Sequence, residues 1–130
     1  MKHLTPLETW VYLQAKRNAL FVDVRMEIEY LYAGHPPGVV HVPWYEYPQM
    51  HVNPPGFAEQ VRREAGGDSA RPVVLSRCGK RTVEAGHALE AAGFSEVVNV
   101  LHGFEGELDE HFQRGRLNGW RHDGLPWEQL

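Results

Sequence analysis

Two periods of hydrophobic residues alternate along this chain, and their alternation predicts its elements. Thr5-Pro6-Leu7-Glu8 is a capping box with proline in the first turn, and Leu7, Trp10, Val11 and Gln14 follow at helical spacing, which predicts a helix from residue 6 to about 17. Ala19 to Val24 is a continuous apolar run of strand length, suited to a strand covered on both faces. A short helix is expected from Glu27 to Tyr32. The turn Gly34-His35-Pro36-Pro37-Gly38 and a strand from Val39 to Pro43 come next. An irregular aromatic and proline-rich stretch, 44–55, leads to a helix from about Phe57 to Ala65.

The second half repeats the alternation. Val73-Val74-Leu75 reads as a strand, and Thr82 to Ala92 as an alanine-rich helix with Val83, Gly86, Leu89 and Ala92 on one face and Gly93 as its stop. Val97 to Leu101 is a further strand. A short helix is expected near Glu107 to Phe112. Strands alternating with helices in this way predict an α/β fold, a parallel sheet flanked by helices on both faces, formed by one domain over residues 1–130.

Candidate chemistry concentrates between the strand at 73–75 and the helix that follows. Ser76-Arg77-Cys78-Gly79-Lys80-Arg81-Thr82 has the layout of an anion-cradling loop opening a helix. N–H groups at a helix start lack acceptors within the helix, and the macrodipole adds about 0.3–1 kcal/mol for an anion there. Gly79 allows close backbone approach, while Lys80 and Arg81 supply positive charge. Such a loop suits a thiolate, a sulfur oxyanion or a phosphate.

Composition narrows the field. A chain of 130 residues, 42% hydrophobic, supports one compact core. Net charge is −4 with no basic stripe, so nucleic acid is not an expected partner. The first residues lack a signal-type apolar segment, and no apolar run approaches spanning length, so a cytoplasmic protein without membrane contact is expected. The single cysteine excludes an intramolecular disulfide and agrees with a reducing compartment. Eight histidines raise the question of a metal, but His35, His41, His102, His111 and His122 show no ligand spacing, and neither metal nor cofactor is expected.

The residues together resemble a known family. Asp23-Val24-Arg25 with Glu27, then Gly34-His35-Pro36-Pro37-Gly38 through Pro43, then Gly79, Arg81 and Thr82, Leu101-His102-Gly103-Phe104, and finally Gly119-Trp120-Arg121 and Gly124-Leu125-Pro126-Trp127, look like a single-domain rhodanese over nearly the whole chain. The resemblance implies sulfane-sulfur transfer through a cysteine persulfide at the first loop residue, within the pattern C-x-x-G-x-R-[ST]. It also implies a small sulfur-containing anion or a persulfide donor or acceptor as partner, with a protein partner possible in principle.

One position departs from that pattern. Alignment on Gly79, Arg81 and Thr82 puts Ser76 at the nucleophile position and Cys78 two residues later. A cysteine among helix-start N–H donors can have its pKa lowered from about 8.5 to roughly 3.5–7.5, and its thiolate attacks sulfur donors. A serine with no adjacent base stays protonated. Two residues can displace a side chain by up to about 7 Å, so transfer through Cys78 requires a rearranged loop. Phosphatases on this type of sheet have five residues between cysteine and arginine, whereas four separate Ser76 from Arg81, which argues against a phosphatase.

Two functions are left open: a sulfurtransferase or persulfide carrier using Cys78, and a catalytically inactive anion-binding or regulatory module. Cys78 itself reads as an inert buried filler, a reactive thiol, or a redox group unrelated to sulfur transfer. Ser76 reads first as a hydroxyl donor within the cradle. Arg81 is expected to bind the anion or to hydrogen-bond loop carbonyls. Asp23 and Arg25 are expected as structural support in a buried ion pair or as direct substrate contacts, and His102 and Phe104 as pocket border or loop packing. Trp44, Tyr45 and Tyr47 read as lid, partner surface or core.

Overall fold

The computed structural model describes residues 1–46, 48–76, 80–104, 106–107, 109–113 and 117–129. The elements are β1 (Lys2–Leu4), α1 (Pro6–Ala15), β2 (Leu20–Asp23), α2 (Glu27–Ala33), β3 (Val40–His41), α3 (Pro54–Glu64), β4 (Val73–Ser76), α4 (Lys80–Ala91) and β5 (Val97–Val100). The five strands form one sheet in the order β1-β5-β4-β2-β3, and every pairing is parallel. Parallel strands buried on both faces need no polar alternation, and β2, β4 and β5 are buried at every position.

Side-chain alternation divides the core between the two faces. Leu20, Val22, Val73 and Leu75 point with Val97 toward α3 and α4, meeting Phe57, Val61, Ala85 and Leu89. Phe21, Val74, Val98 and Val100 point the other way, toward Trp10 and Leu13 of α1 and toward Phe104, Trp120 and Leu125 of the C-terminal segment. Trp120 is 1% exposed, lies 5.4 Å from Phe21 ring to ring, and donates its indole N–H to the Pro126 carbonyl at 2.7 Å.

Local signals and observed ends agree at several places. The Thr5–Glu8 capping box opens α1 with both of its hydrogen bonds. At the end of α4, Phe94 N–H reaches the Leu89 carbonyl and Gly93 N–H the Glu90 carbonyl, a Schellman closure with Gly93 at φ +98°.

Other expectations need correction. The buried stripe of α1 runs through Pro6, Thr9, Trp10 and Leu13, leaving Leu7 and Val11 exposed, because docking on the sheet chooses between two stripes of the same period. Helix α3 starts at Pro54, since Asn53 caps it by accepting from Gly56 N–H and prolines cost nothing in a first turn. Ser76 belongs to β4 and Lys80 to α4, so only 77–79 lie between strand and helix. The stripe that α4 buries is Thr82, Ala85, Gly86 and Leu89, with Val83 at its margin. The described residues from 107 to 112 form no helix: the Asp109 carboxylate takes the N–H groups of His111 and Gln113, and Phe112 sits at φ +59°. The edge strand β1 had no signal in the pattern, being three residues long with two of them polar.

No described helix is long and apolar enough to cross a membrane.

Candidate functional site

Topology selects the place where a site can form. Strands β2 and β4 are neighbours, yet the chain leaves β2 toward β3 on one side and leaves β4 toward β5 on the other. The connections diverge and open a crevice at the carboxyl ends of these strands, where open α/β sheets bind ligands. Asp23, Arg25, Ser76 and the start of α4 all lie at this edge.

Asp23 and Ser76 are register partners on adjacent strands and face the same side of the sheet. Both are 0% exposed. The Asp23 carboxylate accepts from Arg25 N–H at 3.0 Å, from Arg25 Nε at 3.0 Å and from Arg25 Nη2 at 2.6 Å. Arg25 Nη2 also donates to the Gly34 carbonyl at 2.6 Å, and its guanidinium lies 4.9 Å from the Phe104 ring centroid. The pair thus ties the end of β2 to the Gly34 turn and to the segment after β5. Burying two charges is costly, and several hydrogen bonds on one pair are what makes it tolerable.

Ser76 is different. Its hydroxyl is buried and has no hydrogen-bond partner among the described residues. No described carboxylate or imidazole is hydrogen-bonded to it, so among the described residues it has no base engaged to make it a nucleophile.

Arg81, in the first turn of α4, extends to α2. Its Nη1 is 3.2 Å from Glu29 Oε1, and its guanidinium lies 5.0 Å from the Tyr45 ring centroid. Glu29 Oε1 also accepts from Met26 N–H at 3.2 Å, closing the first turn of α2. One carboxylate therefore joins the start of α2 to the start of α4. Glu29 was not singled out in the sequence, and its spacing three residues after Met26 signals only the local cap.

The surrounding aromatic groups are ordered by stacking. Tyr30 lies between His35 at 4.0 Å and His41 at 4.6 Å, with His41 Nε2 2.6 Å from the Arg25 carbonyl. Burial, followed by the Asp23 and Glu128 carboxylates, holds the Tyr30 hydroxyl above its ordinary pKa, against the opposing charge of Arg25. Trp44 is core: it packs edge-on against Phe57 and donates to Glu84 of α4 at 3.3 Å. Phe104 is likewise buried, while His102 sits half-buried at φ +67°, 3.5 Å from Glu107 Oε1. Thr82 is buried at the start of α4.

The structure therefore brings Asp23, Arg25, Ser76, Arg81 and Thr82 to one edge of the sheet. Arg77, Cys78, Gly79, the Lys80 side chain and Tyr47 fall outside the described residues. Among the described residues, no three His, Cys, Asp or Glu side chains are grouped to hold a metal ion.

This arrangement can be compared with known proteins. The model of the rhodanese-like domain family matches residues 7–110. The chain belongs to the rhodanese-like domain family. The crystal structure of Rv0390 from M. tuberculosis is similar across 100% of this rhodanese-like chain and 98% of its own, at 35% identity and a TM-score of 0.84. The polysulfide-sulfur transferase homodimer from Wolinella succinogenes shares the fold at 23% identity and TM-score 0.64, over 100% of this chain and 80% of its own. A rhodanese-like domain from Anabaena shares it at 18% identity and TM-score 0.68, with the same coverage. No curated protein matches the chain.

Proposed function

We propose that this rhodanese-like domain handles sulfane sulfur and that the sulfur is carried by Cys78. The observation that carries this reading is the state of Ser76: it is fully buried, and its hydroxyl is hydrogen-bonded to no base among the described residues. With serine at the nucleophile position and one thiol in the chain, sulfur chemistry falls to Cys78. That residue stands two positions before Lys80, the first residue of α4, where helix-start N–H groups favour a thiolate.

The step is a displacement at sulfur. The Cys78 thiolate attacks the outer sulfur of thiosulfate, a new S–S bond forms, the old one breaks, and sulfite departs with its electron pair. An acceptor nucleophile then takes the outer sulfur and returns the thiolate. Polysulfide, named for one protein of similar fold, is a second donor to use.

The orphan hydroxyl favours a second reading, an anion-binding or regulatory module in which Ser76 donates to a bound anion. Intact-protein mass spectrometry after incubation with thiosulfate or polysulfide separates the two. The carrier reading expects a gain of one sulfur atom, reversed by reductant and missing in Cys78→Ala. An unchanged mass for the native chain, together with a gain in Ser76→Cys, overturns it in favour of the module.

A further inference from the structure

Two guanidinium groups stand at the carboxyl edge of the sheet, and each is met by a carboxylate. Arg25 Nη2 lies 2.6 Å from Asp23 Oδ2, and Arg81 Nη1 lies 3.2 Å from Glu29 Oε1. The two pairs differ in setting. Asp23 and Arg25 are sealed in the core, whereas the Arg81 and Glu29 side chains are 16% and 20% exposed, and Arg81 stands in the first turn of α4, beside the crevice. The Glu29 carboxylate also closes the first turn of α2 by accepting from Met26 N–H at 3.2 Å, but glutamine serves that cap as well as glutamate does. The negative charge of Glu29 is therefore directed at Arg81.

We propose that Glu29 is a specificity-determining residue: by offsetting the charge of Arg81 it weakens the hold of the crevice on dianionic sulfur donors such as thiosulfate, relative to donors of the same shape that carry one charge. Coulombic energy scales with the charge of the ligand, so a unit of positive charge offset at the site costs a dianion twice what it costs a monoanion. The loop sequence also holds Arg77 and Lys80, but Glu29 subtracts its unit whatever they add. Because both side chains of the pair are mostly buried, salt screens the effect only in part. The proposal rests on the sulfur-handling reading above, and shifts its donor class toward singly charged organic thiosulfonates and persulfides.

Thiosulfate and the methanethiosulfonate anion test it, since a methyl group in the second replaces one oxygen of the first. With either donor the thiolate bonds to the outer sulfur as the S–S bond of the donor breaks, and sulfite or methanesulfinate leaves with the electron pair. Loading rates are read by intact-protein mass at low ionic strength. Glu29→Gln is expected to raise the rate about tenfold with thiosulfate and about threefold with methanethiosulfonate, a gap that narrows as salt is added. Glu29→Asp keeps the charge and is expected to stay near the native donor ratio. Sulfate and methanesulfonate, titrated into ¹⁵N-labelled Cys78→Ala with and without Glu29→Gln and followed by the amide shifts of residues 80–82, repeat the comparison without sulfur transfer. Equal changes with both donors in Glu29→Gln, as a purely structural role gives, or the same rise in donor ratio in Glu29→Asp, would overturn the proposal. If neither donor loads the native chain while Glu29→Gln still favours sulfate, the sulfur reading falls and a charge-selective anion site is left. Loading with a donor ratio that the substitution does not move removes the selector alone.

Discussion

Two strand-to-helix junctions lie side by side at the carboxyl edge of the sheet and treat buried polarity in opposite ways. At β2–α2, Asp23 accepts three donors of Arg25, and Arg25 in turn holds the Gly34 carbonyl. At β4–α4, the register partner of Asp23 is Ser76, equally buried, with a hydroxyl that no described residue engages. Polar groups that meet their partners at home brace a fold. One left without a partner, at the mouth of a crevice and beside a helix start, is the feature expected where a ligand completes the hydrogen bonding. An engaged and an unengaged buried polar side chain are thus separated by the width of one strand pairing.

Substitutions at the two junctions test that separation. Arg25→Met has the largest expected effect, a loss of about 3–5 kcal/mol in urea unfolding, because it leaves the Asp23 carboxylate buried without its countercharge. If unfolding is unchanged, the β2 junction is no brace. Glu29→Gln comes next. It keeps a carbonyl for the α2 cap but weakens the link to Arg81, and a loss of about 0.5–1.5 kcal/mol is expected for this partly buried pair. A full-sized loss comparable to that of Arg25→Met would put the scaffold at α4 as well. Ser76→Ala has the smallest expected effect and the opposite sign, unchanged stability or a gain of up to about 1–2 kcal/mol, since it removes a buried hydroxyl with no hydrogen-bond partner among the described residues. Marked destabilisation would show that Ser76 is engaged after all and would erase the contrast.

Much of the fold was legible in the residues because its signals are short-range. The Thr5–Glu8 box and the Gly93 stop each act over three or four positions, and the alternation of apolar runs with helical spacing was enough for a parallel sheet covered on both faces. Less of the candidate site was legible. Asp23, Arg25, Ser76 and Arg81 were found as residue types in an order, but the partner of Arg81 lies 52 positions away and Glu29 carried only a cap signal. The helix expected at 107–112 failed for a local reason that periodicity does not register: Asp109 captures the N–H groups that would have served the helix.

By itself the sequence determined the order and type of most elements and the family. Tertiary structure alone decided which stripe of α1 would be buried, that residues 2–4 would become a strand on β5, and that Arg81 would turn to Glu29 and Tyr45. The reason is physical. Capping, turn and periodicity energies are set between neighbours in the chain, while helix rotation, edge pairing and ion-pair choice depend on surfaces that exist only once distant segments have packed.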